Sequence, residues 1–175
     1  MKALFLSRLL LMALALFSFT GCMTDDLIDM VDGNNVENFI VPRLMIEERG
    51  VEYGSLRGLK LVMPVSKTEM HVLREPVVGE YEIVGIDMVK FDLGVGVQIH
   101  VTERGARALY RTSVTHRGQR LVLLANDVPV GARAIDGDMS DGRFYMYLEI
   151  PDEEVEQFVL DLRESIAELQ TQYKY

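Results

Sequence analysis

The sequence predicts an α+β fold, an antiparallel or mixed sheet with two amphipathic helices packed on one face. Three observations predict it. Short apolar runs separated by Gly, Asp and Asn recur through the middle of the chain, as strands do. A helical period appears twice, over residues 103–115 and again from Asp152 onward. The strands come in runs and do not alternate one for one with helices, which is the order that places helices on one side of an antiparallel sheet.

Residues 1–21 read as a secretory signal. Lys2 and Arg8 give a positive start, Leu9 to Phe17 is unbroken apolar sequence, and Ser18 precedes Phe19. That run is well short of the ~20 residues a membrane-spanning helix needs. The next letters, Phe19-Thr20-Gly21-Cys22, resemble the lipobox of bacterial lipoproteins, with Phe19 where leucine is usual. The resemblance implies cleavage between Gly21 and Cys22. It also implies a diacylglycerol on the Cys22 sulfur and an acyl chain on its new amino group. Cys22 is the one cysteine in the chain, so no internal disulfide framework forms despite export. Two or three acyl chains anchor stably where one does not.

Residues 22–38 form the expected lipidated acidic tether, carrying Asp25, Asp26, Asp29, Asp32 and Glu37 and breaking at Gly33-Asn34-Asn35. Residues 39–175 are then one α+β domain. The 175 residues carry a net charge of −9, and loss of Lys2 and Arg8 makes the remainder more acidic still. This argues against nucleic acid, which needs a basic footprint. It argues equally against adhesion to anionic lipid through the protein surface, so the lipid does the attaching.

From Phe39 the pattern is mostly strand. Leu59 to Val65 and Tyr81 to Phe91 are apolar runs, and Val95 to Val101 turns to alternation at its end. Over Glu103 to Thr115, Ala106, Leu109, Tyr110 and Ser113 share one helical face, and Arg104, Arg107 and Arg111 share another. Leu121–Ala125, Val128–Ile135 and Phe144–Ile150 are three further strands. In the last helix Val155, Phe158, Val159, Leu162, Ile166 and Leu169 line one stripe. Asp152, Glu153 and Glu154 set negative charge at its positive end.

Several stretches invite a chemical reading. Ile135 to Arg143 holds three aspartates and two glycines. An EF-hand loop starting at Asp136 would need glycine at position six and glutamate at twelve, where Asp141 and Tyr147 stand. Asp and Gly are also what turns select, so a turn is expected. Gly94-Val95-Gly96 runs into a strand and lacks the third dinucleotide-loop glycine, Ile99 standing there. His71, His100 and His116 are isolated in sequence, with no cysteine to complete a zinc set. No serine lies in a Gly-x-Ser-x-Gly elbow. Glu153 and Glu154 are explained by helix entry. The methionines are scattered, as core fillers are. These readings give no catalytic residue, no metal site and no cofactor beyond the covalent lipid. Arg104, Arg107 and Arg111 remain candidate partner-binding residues, a basic ridge on an acidic chain, although a solvated helix face explains them too.

From about Leu73 to Ala167 the chain resembles the head of the first periplasmic domain of SecD, in the SecDF export-motor family. A Glu-Pro-Val entry ending in glycine is matched by Arg74 to Gly79. Gly105-Ala106 opens the helix, with Leu109 at the helix hydrophobe. Gly118 to Leu123 answers Gly-Lys-Arg-Leu-Ala-Ile at the same spacing. Asn126 to Ile135 covers the next family stretch without gaps, keeping Ala132 and Ile135. Met139, Gly142 and Glu153-Glu154-Val155 meet the later positions. Departures are Ser113, Asp127 and Arg133, which replace a family threonine, glycine and proline. The membrane helices that carry the family's proton coupling have no counterpart among these residues, so that activity is not implied.

The resemblance implies a SecD-head-like domain that contacts an exported polypeptide or a folded envelope partner. The expectation is a non-catalytic, lipid-anchored envelope protein facing the periplasm. The lipoprotein resemblance implies the outer membrane, since Met23 stands where an aspartate would signal inner-membrane retention. A structural scaffold is the alternative, and a hydrolase with an unrecognised site is a third reading.

Overall fold

A computed structural model describes residues 39–48, 58–92 and 94–173. All of them lie in the compact unit Asn38–Tyr175. Gly21, Cys22 and the acidic tether lie outside the described residues. The elements in order are β1 (Pro42–Ile46), β2 (Gly58–Val62), β3 (Glu69–Leu73), a 3₁₀ turn (Glu80–Glu82), β4 (Ile83–Phe91), β5 (Gly94–Val101), α1 (Glu103–Thr115), β6 (Arg120–Ala125), β7 (Val128–Ala134), β8 (Arg143–Leu148) and α2 (Asp152–Tyr173). The fold is α+β, as expected. Among the described residues no helix is long and apolar enough to cross a membrane.

Six strands form one antiparallel sheet in the order β1–β6–β7–β8–β5–β4. Its registers explain the core. Leu44 faces Leu123, Val97 faces Met146 and Ile99 faces both Phe144 and Ile86. Successive side chains alternate across a strand, so these residues all stand on one face. That face meets Leu109 of α1 and Val155, Val159, Leu162 and Ile166 of α2, all fully or nearly buried. Burying one such side chain contributes about 1.5–3 kcal/mol. The four from α2 together outweigh any intrinsic helix preference and decide where the helix lies.

The other face carries a second core that the sequence reading did not separate. β2 and β3 pair into a two-stranded ribbon, and Leu61, Met63, Met70 and Val72 meet Met45, Val122 and Leu124 of the large sheet. The ribbon is tied to β1 by a bridge between Glu47 and Val72, with Glu48 N–H donating to His71 O at 2.8 Å. Three of the six methionines among the described residues, Met45, Met63 and Met70, therefore pack between the ribbon and sheet. The ribbon covers β1, β6 and β7, while β8, β5 and β4 continue beyond it.

The end of β1 holds a buried ion pair. Glu47, 7% exposed, accepts from Arg120 Nε at 3.0 Å, from Nη2 at 2.6 Å and from the Arg120 backbone N–H at 3.0 Å. The Glu47 hydrogen bond holds the Arg120 guanidinium above its ordinary pKa, against burial, which acts the other way.

At the opposite edge, α2 occupies the outer side of β4. Arg163 Nε and Nη2 donate to Ile86 O at 3.3 and 3.2 Å, and Gln170 Nε2 donates to Tyr81 O and Ile83 O at 2.9 and 3.1 Å. An open strand edge is a template for pairing with another chain. Here its first carbonyls already have partners.

Candidate functional site: the outer face of α1 and the bare face of the sheet

α1 begins because Thr102, in extended backbone, caps it. The Thr102 Oγ1 accepts from Gly105 N–H at 3.1 Å. Gly105 lies against β5, where an added Cβ would stand 3.0 Å from Val101 Cβ, so the helix approaches the strand closely. Gly105, Leu109 and Ser113 turn inward. Ser113 Oγ donates to Tyr110 O at 2.8 Å and accepts from Met139 N–H at 3.1 Å. Met139 is 6% exposed and belongs to the main core.

This settles the Ile135–Arg143 stretch as the connection between β7 and β8, pinned by a buried methionine against the C-terminal half of α1. Gly142 takes a positive φ of 68° and its position faces Ala106 Cβ at 3.2 Å, so both shape and space favour glycine. The carboxylates of the stretch do not converge. Asp136 lies 3.4 Å from Arg133, and Asp138 lies 2.7 Å from Arg117. The histidines are likewise dispersed. His71 is in β3, His100 in β5 beside Asp87 at 3.2 Å, and His116 follows α1.

The helical face assignment needs one correction. Leu109 and Ser113 are buried as expected, but Tyr110 is 48% exposed and Ala106 half-buried. At 3.6 residues per turn Tyr110 stands about 100° from the buried stripe of Gly105, Leu109 and Ser113, which turns its ring outward. Tyr110 and Val114, at 52% exposure, instead line an outward hollow of about 610 Å³ with Ala106, Arg107, Arg111 and Ser140.

The three predicted arginines share the exposed side of α1 but differ in their bonding. Arg104 Nε reaches Glu82 Oε1 on the 3₁₀ turn at 2.9 Å. Arg107 pairs with Glu103 one turn earlier, both side chains well exposed. Arg111 makes no ion pair among the described residues. Surface pairs of this kind contribute about 0–1 kcal/mol and exchange readily for another acidic partner.

A second exposed feature escaped the sequence reading. On the sheet face away from the helices, Phe91, Tyr145 and Tyr147 form one aromatic group. Phe91 meets Tyr145 edge-on at 5.6 Å between centroids and Tyr147 at 5.3 Å. The two tyrosines are 44% and 46% exposed. Gly96 makes room for the group, since an added Cβ would stand 2.8 Å from Phe91 Cε2 and from Met146 O. The signal was present as Tyr145-Met146-Tyr147, two large aromatics at strand period. The partner ring on β4 becomes visible only with the register. A second hollow, about 560 Å³, lies where Arg43 is taken up by Glu80 at 3.2 Å and Asp127 at 3.1 Å.

No protein-family model matches the chain, and no curated protein is significantly similar to it. Solved structures do resemble it. One, described as the structure and function of a membrane component SecDF that enhances protein export, aligns with a TM-score of 0.53 at 16% identity. The alignment covers 83% of this chain and 71% of that one. A second, SecDF in its super-membrane-facing form, gives 0.53 and 16% over 82% of this chain, which spans 21% of that protein's length. At this identity the likeness is one of fold. The domain is SecD-like in architecture.

Proposed function

We propose that this protein is a lipid-anchored envelope protein whose SecD-head-like domain binds polypeptide and carries out no chemistry of its own. The observation that carries the reading is the hollow on α1. It joins exposed apolar surface to two arginines on an otherwise acidic chain, on a fold shared with a component that enhances protein export. Exposed apolar surface rimmed by polar groups is what binding sites for protein segments present. The envelope location rests on the signal-like start and on Cys22 as the acylation site. The same start supports a periplasmic side for the domain, and Met23 favours the outer membrane.

A scaffold reading draws on the aromatic group over β4, β5 and β8. Tyrosine and phenylalanine are enriched where folded proteins meet, so this face suits a single folded envelope partner.

One experiment separates the two. Photo-crosslinking residues at Val114, in the hollow, and at Tyr145, in the aromatic group, are introduced into the full chain in cells. Polypeptide binding gives heterogeneous adducts at Val114. A scaffold gives one discrete adduct at Tyr145. Replacing Cys22 by serine should abolish fatty-acid labelling and leave uncleaved precursor, and labelling that persists would sink the lipoprotein reading.

A further inference from the structure

We infer that the hollow on α1 receives an amphipathic helix whose apolar stripe is flanked by carboxylates, supplied by a partner protein. This deepens the polypeptide-binding reading and rests on it.

Shape points to a helix. Ala106, Tyr110 and Val114 stand at i, i+4 and i+8, so the exposed apolar surface is a single row along α1. Such a row is a ridge against which the groove of a second helix packs. Ser140, on the β7–β8 connection, closes one side of the hollow. An extended chain that binds by strand addition needs a free sheet edge, and one edge of the large sheet is β4. At β4 the outward carbonyls of Ile83 and Ile86 are already taken by Gln170 and Arg163. Strand addition there would first have to break those bonds.

Charge points to carboxylates. Arg107 and Arg111 lie one turn apart beside the apolar row, and the chain as a whole is at −9. Like charges at this spacing repel each other slightly within a helix. Arg111 has no ion-pair partner among the described residues, and Arg107 has only the exposed Glu103. Two carboxylates one turn apart on an incoming helix match both guanidinium groups, each able to accept a forked pair of N–H bonds.

The test uses the solubilised full chain and two synthetic helical peptides with the same leucine stripe. One is flanked by glutamates one turn apart, the other by lysines. The glutamate peptide should bind on the order of tenfold more tightly, a difference of about 1.4 kcal/mol, and should lose that advantage in high salt. In the Arg107→Glu, Arg111→Glu chain the preference should invert. Binding of the lysine peptide to that variant also shows that it is folded. Tyr110→Ala should weaken both peptides alike. Equal binding of the two peptides to the wild-type chain overturns the inference. So does concentration-dependent self-association that the Arg107→Glu, Arg111→Glu chain abolishes, which would make a second copy the occupant. If the peptides are discriminated while Val114 captures nothing in cells, the site stands and the envelope-binding reading falls. If Val114 captures polypeptide while the peptides are not discriminated, the reverse holds.

Discussion

The backbone N–H of Ile40 donates to the Ser165 hydroxyl at 2.9 Å, joining residues 125 positions apart. Ser165 is 4% exposed, and its O–H donates in turn to Asp161 O at 2.8 Å. The bond fixes the segment leading into β1 against the middle of α2. A half-buried N–H without an acceptor costs about 1–3 kcal/mol. Ser165→Ala should therefore lower the melting temperature by about 3–12 °C. Thermal unfolding followed by circular dichroism measures this. An unchanged midpoint would show that Ile40 finds water instead.

The Glu47–Arg120 pair makes a sharper case. Glu47→Gln keeps the shape but leaves a half-buried guanidinium without its carboxylate, a loss of about 3 kcal/mol. Replacing both partners, Glu47→Gln with Arg120→Met, should cost less than the two single changes added together, because the groups are coupled. Arg120 is raised above its ordinary pKa. A raised group contributes fully below its unfolded value and loses that contribution only as pH climbs through the folded one. The Arg120 side of the pair therefore adds no pH dependence between pH ~6 and ~9. Urea titrations at both values should give the same gap between wild type and Glu47→Gln.

Gly96→Ala tests the aromatic group. The new methyl would stand 2.8 Å from Phe91 Cε2 and equally close to Met146 O. The ring can lift but the backbone carbonyl cannot move freely, so the change should cost about 1–3 kcal/mol as overpacking does. Phe91 would leave Tyr145 and Tyr147, and near-ultraviolet circular dichroism should change with the stability. Phe91→Ala in the same chain should recover part of the loss. No recovery would place the strain at Met146 alone.

Local pattern was legible where one element supplies its own evidence. α1 spans Glu103–Thr115 and α2 starts at Asp152 as periodicity indicated, because each buries a stripe of its own. β6 and β7 lie within one residue of their apolar runs. The arginines share a face of α1 for the same reason. What distant segments decide was not legible. β3 carries a strand's alternation, Met70 and Val72 between Glu69 and His71, but over five residues that pattern stands out only with β2 beside it. The ribbon's position under Val122 and Leu124 depends on β1, which pairs with β6 across most of the domain. Arg104 finds Glu82 only because the 3₁₀ turn comes to rest beside the helix start. Tyr110 faces out because the inward stripe is Gly105, Leu109 and Ser113, and Tyr110 stands about 100° round the helix from it.

The strand order carries one more implication, for how the domain is delivered. β1 is made first, yet the strand it pairs with, β6, follows about 75 residues later, and α2, which closes the main core, comes last. A chain emerging end-first from a ribosome therefore has β1 and the ribbon able to pair with each other, but no large sheet to pack on until β6 follows. Contacts this distant form slowly. The large sheet and the core beneath α2 can therefore be completed only once that helix has been made.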